Sequence, residues 1–508
     1  MSLIYKLGLS GNPFENYTAE TEPDIGEYAV RPPYLESISA RARKLSSFIL
    51  FGDRGAGKSA TRLTVFKEIW GSKDSDKPFI VNLTDFSSII EIFKKDKLSE
   101  KEIIFLAAYN TIEQMLAWLA SLNESDRSAK LSSLTKEQRS LIMALVQGFY
   151  LSKEEMDREH STAETFRLLD STWQTKAVVW TTQRGETISK IIAEAVALFS
   201  RRVTEDDSLE ISEPAEKLLK SLIGDSPNAP RAILHKLVEL AQIFGFTGVC
   251  MLVDKLDETA ATMKSAESTA KLIHPLLSHI QLLEVVGFSW IFFIWRNVTT
   301  HFNGKHEVRL DKIPSSNIVW GQIQLREMLD KRVEFFSSGA LNFSQLFEPE
   351  TDMEQVYNLL LTHSINSPRE LIKIIDIIIR EHDINEPDTS LTLNSVNAGI
   401  NKYCIETIDT WHAPKILQQI YRLGKTPFIN QDVQTTFKIG DQGARVKIKT
   451  WEDAGLVKQS GTLPSSAGGK QVYRYVISDP RVIRIIENTL DPSVGIEFDE
   501  FAEEPSDD

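Results

Sequence analysis

The sequence predicts an α/β protein: a parallel sheet flanked by helices, broken by a long helical stretch and followed by two smaller modules. Three observations carry this. A glycine-rich loop at residues 52–59 joins a short apolar run to a helical pattern. Much further on, the apolar run 249–253 ends in a cluster of acids. Beyond residue 413, short helices give way to two runs separated by a Gly/Ser/Pro turn.

Taken in order, residues 1–30 are rich in turn formers and acids, with Asn12-Pro13-Phe14 among them. A helical pattern runs from about residue 31 to 44, and residues 47–51 are a short apolar run that reads as a buried parallel strand. Residues 60–70 continue as a helix, and 78–83 form a plausible second strand. From about 85 to 244 the pattern is mainly helical, with polar breaks at 121–132 and 204–208. Strand character returns at 248–253 and 288–294, and strands separated by helical stretches indicate a sheet covered on its faces. After residue 320 the chain is helical to about 410.

A chain of 508 residues exceeds one hydrophobic core, so about two to four domains are expected. The expected divisions are a first part of the core at 1–84, a helical insertion at 85–244, a second part of the core at 245–320, a helical lid at 321–412, a terminal module at 413–490 and an acidic tail at 491–508. The two cysteines, Cys250 and Cys404, make no disulfide framework or metal cluster and are expected as buried thiols. No stretch approaches the ~18 uninterrupted apolar residues of a membrane span. The N-terminus lacks a basic region followed by an apolar core, so a cytoplasmic protein with no membrane contact is expected. The net charge is −14, but the tail from Asp491 holds eight acids and no bases, while residues 414–476 carry ten Lys/Arg against four Asp/Glu. A basic module beside an acidic tail is what the average conceals.

Gly52-Asp53-Arg54-Gly55-Ala56-Gly57-Lys58-Ser59 matches the P-loop pattern at every defined position, between a strand and a helix as that motif requires. Glycines let main-chain N–H groups converge on phosphate oxygens, and the helix N-terminus, from Lys58 through Ala60, adds potential favourable to anions. Lys58 is expected at the β- and γ-phosphates of ATP, and the Ser59 hydroxyl at Mg2+. Asp254, at the end of an apolar strand, is expected to hold Mg2+ through its water shell. Asp257 or Glu258, with Glu258 preferred, is expected to orient or deprotonate the attacking water. Alternatively, these acids cap a helix near Thr259.

The glycine loop, followed by Leu252-Val253-Asp254-Lys255-Leu256-Asp257-Glu258, resembles the additional-strand P-loop ATPases, a group that includes AAA+ proteins of the origin-recognition type and the STAND ATPases. Asn12-Pro13-Phe14 and Tyr28-Ala29-Val30-Arg31-Pro32-Pro33 are similar to bacterial ATPases of defence and DNA-repair settings. The resemblance covers about two-thirds of the chain, and the stretch after Asp85 is much longer than the usual AAA+ spacing. It implies a γ-phosphate sensor at the end of a strand, for which Arg296 is the candidate with Asn297 second. It implies a second sensor at the start of a lid helix, where Arg369 stands in Ser367-Pro368-Arg369-Glu370-Leu371. Arg309, Arg326 and Arg332 are candidates for a finger reaching a neighbouring subunit.

The terminal module reads as helices at 415–422, 430–437 and 444–455, then a hairpin of residues 457–459 and 471–476. Three helices and a hairpin resemble a winged helix. On DNA, the third helix would present Arg445, Lys447 and Lys449, and the wing Lys458, Lys470 and Arg474. Alternate helix positions do not share a face, so at most two of the first three meet DNA together. The fold class expected is therefore α/β: a P-loop NTPase parallel sheet with a large helical insertion, a helical lid and a C-terminal winged-helix domain. The expected function is an ATP-binding and hydrolysing switch that self-assembles when ATP-bound and acts on DNA, with an effector protein and a role in phage defence or DNA maintenance implied by the resemblance alone. The alternative is an ATP-bound, poorly hydrolysing scaffold for protein partners.

Overall fold

The computed structural model describes residues 3–22, 28–31, 33–153, 158, 226–263, 265–387, 389–464 and 471–495. Its contacts divide the chain into two compact units, Thr18–Val319 and Met1–Tyr17 with Trp320–Asp508.

The first unit is built on β1 (Phe48–Gly52), β2 (Phe79–Leu83), β3 (Val249–Val253), β4 (Phe288–Trp295) and β5 (Ser315–Asn317), in the order β2-β3-β4-β1-β5 with every pair parallel. All residues of β1, β2 and β3 are buried, which is why these strands are legible as short, mainly apolar runs, with Asn82 the one polar side chain in β2. The polar edge strand β5 carries no such signal and was not anticipated. Strand β4 lies between the glycine-loop strand and the acidic strand, so the arrangement is that of the additional-strand P-loop proteins.

Helices α1 (Pro33–Arg43), α2 (Lys58–Trp70), α3 (Glu100–Ser121) and α4 (Ala229–Ile243) surround the sheet. Among the described residues, α3 is long and apolar enough to span a membrane, but 83% of its apolar window is buried within the protein. Its Gln114 covers the outer edge of β2, accepting from the Asn82 N–H at 2.9 Å and donating to the Asn82 carbonyl at 2.7 Å. Part of the expected insertion is thus a wall of the core.

The polar break expected at 121–132 is instead mostly helix, Glu124–Ser132, whose N-cap Asn123 accepts the Asp126 N–H. Only Leu131 of that helix is buried, so no apolar stripe marks it. Residues 154–157 and 159–225 lie outside the described residues, and the break expected at 204–208 falls among them.

In the second unit, α5 (Gln322–Phe336), α6 (Met353–His363), α7 (Pro368–Asn385) and α8 (Leu393–Thr407) form the helical segment expected as a lid. The N-terminal Asn12-Pro13-Phe14 belongs with it. Fully buried Phe14 meets Phe343 edge-on at 6.2 Å, Pro13 O accepts from Arg332 Nε at 2.8 Å, and Asn12 Nδ2 donates to Asp376 at 3.0 Å. The first seventeen residues therefore group with 320–508 rather than with the sheet.

The terminal module of this unit runs α9 (Pro414–Leu423), β6 (Phe428–Ile429), α10 (Asn430–Phe437), α11 (Asp441–Asp453), β7 (Val457–Pro464), β8 (Gln471–Ile477) and α12 (Pro480–Glu487), with antiparallel sheet order β6-β8-β7. This is a winged helix. Trp451 is fully buried against Phe428 and Phe437 and donates to Gln419 at 2.9 Å. Helix α12 was not anticipated. It docks on α8, where Arg484 donates to Asn401 Oδ1 at 2.7 Å and to Asn397 O and Oδ1 at 3.1 and 2.9 Å. The acidic tail is described only to residue 495.

Candidate functional site

Strand β1 ends at Gly52 and α2 begins at Lys58, so the five residues between them must turn sharply at the end of a buried strand. Gly55 and Gly57 do this at φ of +79° and +87°, the left-handed region that side chains other than glycine rarely adopt. Gly57 is the N-cap of α2 and brings no capping side chain, leaving the first turn of the helix to offer its N–H groups to an anion. A Cβ on Gly52 would lie 3.0 Å from Ile318 and 3.2 Å from the Lys58 stem. Lys58 is buried and donates Nζ to Gly52 O and Asp53 O, each at 3.1 Å. Asp53 is exposed, Arg54, Gly55, Ser59 and Ala60 are half-buried, and Ala56 is buried. A glycine cradle capped by a lysine fits a nucleotide triphosphate. The Ser59 hydroxyl and Asp254 carboxylate are the hard oxygen donors that suit Mg2+.

Asp254 follows the last residue of β3 and is 1% exposed. Its Oδ2 accepts from Arg62 Nε at 3.1 Å and its Oδ1 from the Lys255 N–H at 2.9 Å. Arg62, on α2, is also 1% exposed and donates Nη1 to Asn82 Oδ1 at 2.7 Å. Ser59 lies three residues before Arg62 on the same helix face.

Asp257 is buried and pairs with Arg54, Nε to Oδ2 at 3.1 Å, while the Arg54 guanidinium stacks 4.2 Å from the Trp295 ring centroid. Glu258 is exposed in the turn closed by its own N–H on Lys255 O. The next α-helix begins at Ala266 with Ser265 as its cap, so the three acids do not cap it. Arg296 follows β4 directly, and the preceding Trp295 is in register with Gly52. Arg296 and Asn297 are exposed at the C-terminal end of β4, beside the end of β1 where the glycine loop begins.

Arg369 belongs to the other unit, as the second residue of α7, where it is half-buried behind the Ser367 cap. Of the finger candidates, Arg332 is 2% exposed and bound to Pro13, so burial removes it. Arg326 is in a bidentate pair with Glu354 at 2.6 and 2.8 Å, and Arg309 with Asp311 at 2.9 and 2.8 Å.

On the winged helix, Arg445 pairs with Asp441 at 2.9 Å and Lys449 with Asp453 at 2.8 Å, both along α11. These two share an exposed face, while Lys447 turns away over the Phe437 ring at 4.5 Å. Lys458 and Arg474 are exposed on adjacent wing strands, and Lys470 lies outside the described residues.

Sequence reasoning passed over Arg62 and Asn82. A signal existed: Arg62, Phe66 and Ile69 fall on one stripe of α2, and a cation in an apolar stripe calls for a buried partner.

No protein-family model and no curated protein matches the chain. Among solved structures it is similar to the Aeropyrum pernix ORC1 protein in complex with DNA, at 10% identity and TM-score 0.35, over 92% of this chain and 94% of that one. It is similar to the ADP form of the Aeropyrum pernix ORC2 protein, at 11% identity and TM-score 0.37, over 91% and 94%. It is also similar to Cdc6p from Pyrobaculum aerophilum, at 10% identity and TM-score 0.31, over 91% and 96%. Superpositions this loose carry no inference about site or mechanism.

Proposed function

We propose that this protein is an ATP-binding and hydrolysing molecular switch that acts on DNA or within an assembled complex. The carrying observation is the glycine loop of residues 52–59 between β1 and α2, with Asp254 ending β3 and bound to the P-loop helix through Arg62. In this reading main-chain N–H groups of the loop and Lys58 bind the phosphates, and the Lys58 ammonium exchanges two loop carbonyls for phosphate oxygens. Ser59 and, through bound water, Asp254 would hold Mg2+, which would neutralise charge on the phosphate oxygens. Glu258 is the residue in reach of solvent to position water, since Asp257 is held by Arg54. Arg296 senses the γ-phosphate from the end of β4, and Arg369 does so from the lid helix.

Support for DNA comes from the winged-helix topology and the exposed cations Arg445, Lys449, Lys458 and Arg474. The ion pairs on α11 do not oppose it, since exposed i,i+4 pairs are worth only about 0.3–0.5 kcal/mol and a phosphate displaces them. One observation favours the scaffold alternative. Helix α11 carries three bases and three acids, and Val446 and Tyr473 are exposed beside them, a surface also suited to a protein partner. Phosphate release measured with and without DNA separates the two. A steady rate that DNA raises and Lys58→Ala abolishes supports the switch; stoichiometric ATP binding without turnover refutes it in favour of the scaffold.

A further inference from the structure

Resting on the nucleotide reading above, we infer that Arg62 is the resident counter-charge of Asp254: a positioning residue that makes ATP binding here largely independent of Mg2+. A carboxylate sealed at 1% exposure needs a metal, a hydrogen-bonded cation or water to balance its charge. Here the cation is covalently built in. Arg62 reaches from the P-loop helix to Asp254 Oδ2 at 3.1 Å, and its other arm is fixed by Asn82 Oδ1 at 2.7 Å. Asn82 is held in turn through both its main-chain groups by Gln114 of α3. The guanidinium is thus locked across the ends of β2 and β3 and cannot swing aside without breaking two buried contacts.

The consequence is electrostatic. Each Asp254 oxygen accepts one donor, Arg62 or the Lys255 N–H, and keeps a lone pair for a metal-bound water. Its negative charge, however, is already compensated, so a divalent cation gains little from approaching it. Arg54 does the same to Asp257, so both buried acids after β3 are neutralised by arginines of the glycine loop and its helix. Mg2+ would then be held chiefly by the triphosphate and the Ser59 hydroxyl, with Asp254 reaching it through bound water, and among the described residues each buried acid after β3 already faces an arginine.

The test is calorimetric affinity of the full chain for ATP in excess Mg2+ and in EDTA, a binding readout that needs no turnover. Wild type is expected to show constants within about tenfold of each other. Arg62→Met leaves Asp254 without the cation that faces it, and stripping one partner from a buried pair is strongly unfavourable, so the two constants should separate by at least about a further tenfold in favour of Mg2+. Arg62→Lys, which keeps the charge, should stay nearer wild type.

Should Arg62→Met fail to fold, Asp254→Asn and the double variant Arg62→Met/Asp254→Asn decide. The single change leaves the Arg62 charge without the carboxylate that faces it and should shift the ratio towards EDTA, and the double change should return it to the wild-type value. An Arg62→Met ratio equal to that of wild type, or a double variant no different from Asp254→Asn, overturns the inference. Absence of ATP binding by wild type in both buffers would instead sink the nucleotide reading itself, and this inference with it.

Discussion

Replacing Asp479 with Asn probes what ties the winged helix to the helices before it. Asp479 caps α12, accepting the Arg481 N–H at 2.9 Å. It also receives Arg481 Nε and Nη2 at 2.9 and 2.6 Å, and His412 Nε2 at 2.8 Å. Both members of the ion pair are buried, with side-chain exposures of 2% and 6%. Asn caps a helix as well as Asp does, so the substitution removes the charge and spares the cap. Stripping one partner from a buried pair costs about 3–5 kcal/mol. At roughly 2–4 °C per kcal/mol for a unit of this size, the melting temperature should fall by roughly 6–20 °C.

Burial pushes the Asp479 carboxyl up, but hydrogen bonds from His412 and Arg481 and the Arg481 charge outweigh it and hold the group well below the ordinary carboxylate range. A depressed carboxyl contributes stability that is complete above its unfolded pKa, about 3.9, and is lost as pH falls through the folded value. The gap between wild type and Asp479→Asn should therefore be flat from pH 5 to 8 and narrow only below about pH 4. Calorimetric melts across that range measure both. A fall of less than 2 °C at pH 7, or a gap that closes already near pH 6, would refute the reasoning. Nearby on α8, the Tyr403 hydroxyl donates to Glu370, the neighbour of Arg369, at 2.7 Å.

Phe14→Ala should cost the second unit about 3–5 kcal/mol, read as a lower urea midpoint, because a fully buried ring against Phe343 is lost. Cys250 and Cys404, whose thiols burial pushes up to about 12, should resist a thiol reagent at pH 8 in the native protein and react on unfolding. On DNA, Lys458→Ala combined with Arg474→Ala should flatten the log affinity against log salt plot by roughly 1.8, the loss of two phosphate contacts, in fluorescence anisotropy. Asp441→Asn and Asp453→Asn should each tighten binding about twofold in the same assay, by freeing Arg445 and Lys449 from exposed pairs.

Local chemistry was legible in the chain itself. Mainly apolar runs announced β1, β2, β3 and β4, because a parallel strand buried on both faces admits few polar side chains. Glycines at 52, 55 and 57 with Lys58 and Ser59 announced the loop, because the backbone at 55 and 57 disfavours side chains and Ile318 crowds position 52. The helix Glu124–Ser132 and strand β5 were hidden, since each is mostly exposed and bears no apolar pattern. Pairings between distant residues were beyond reach for a different reason. Arg62 with Asp254, Arg54 with Asp257, and Arg332 with Pro13 are separated by 192, 203 and 319 positions. A charge announces its own need for a partner but not which of many carboxylates or carbonyls will meet it. That choice is made when the sheet stacks its strands in the order β2-β3-β4-β1-β5 and brings the ends of β2 and β3 against one turn of α2, and only the tertiary structure contains it.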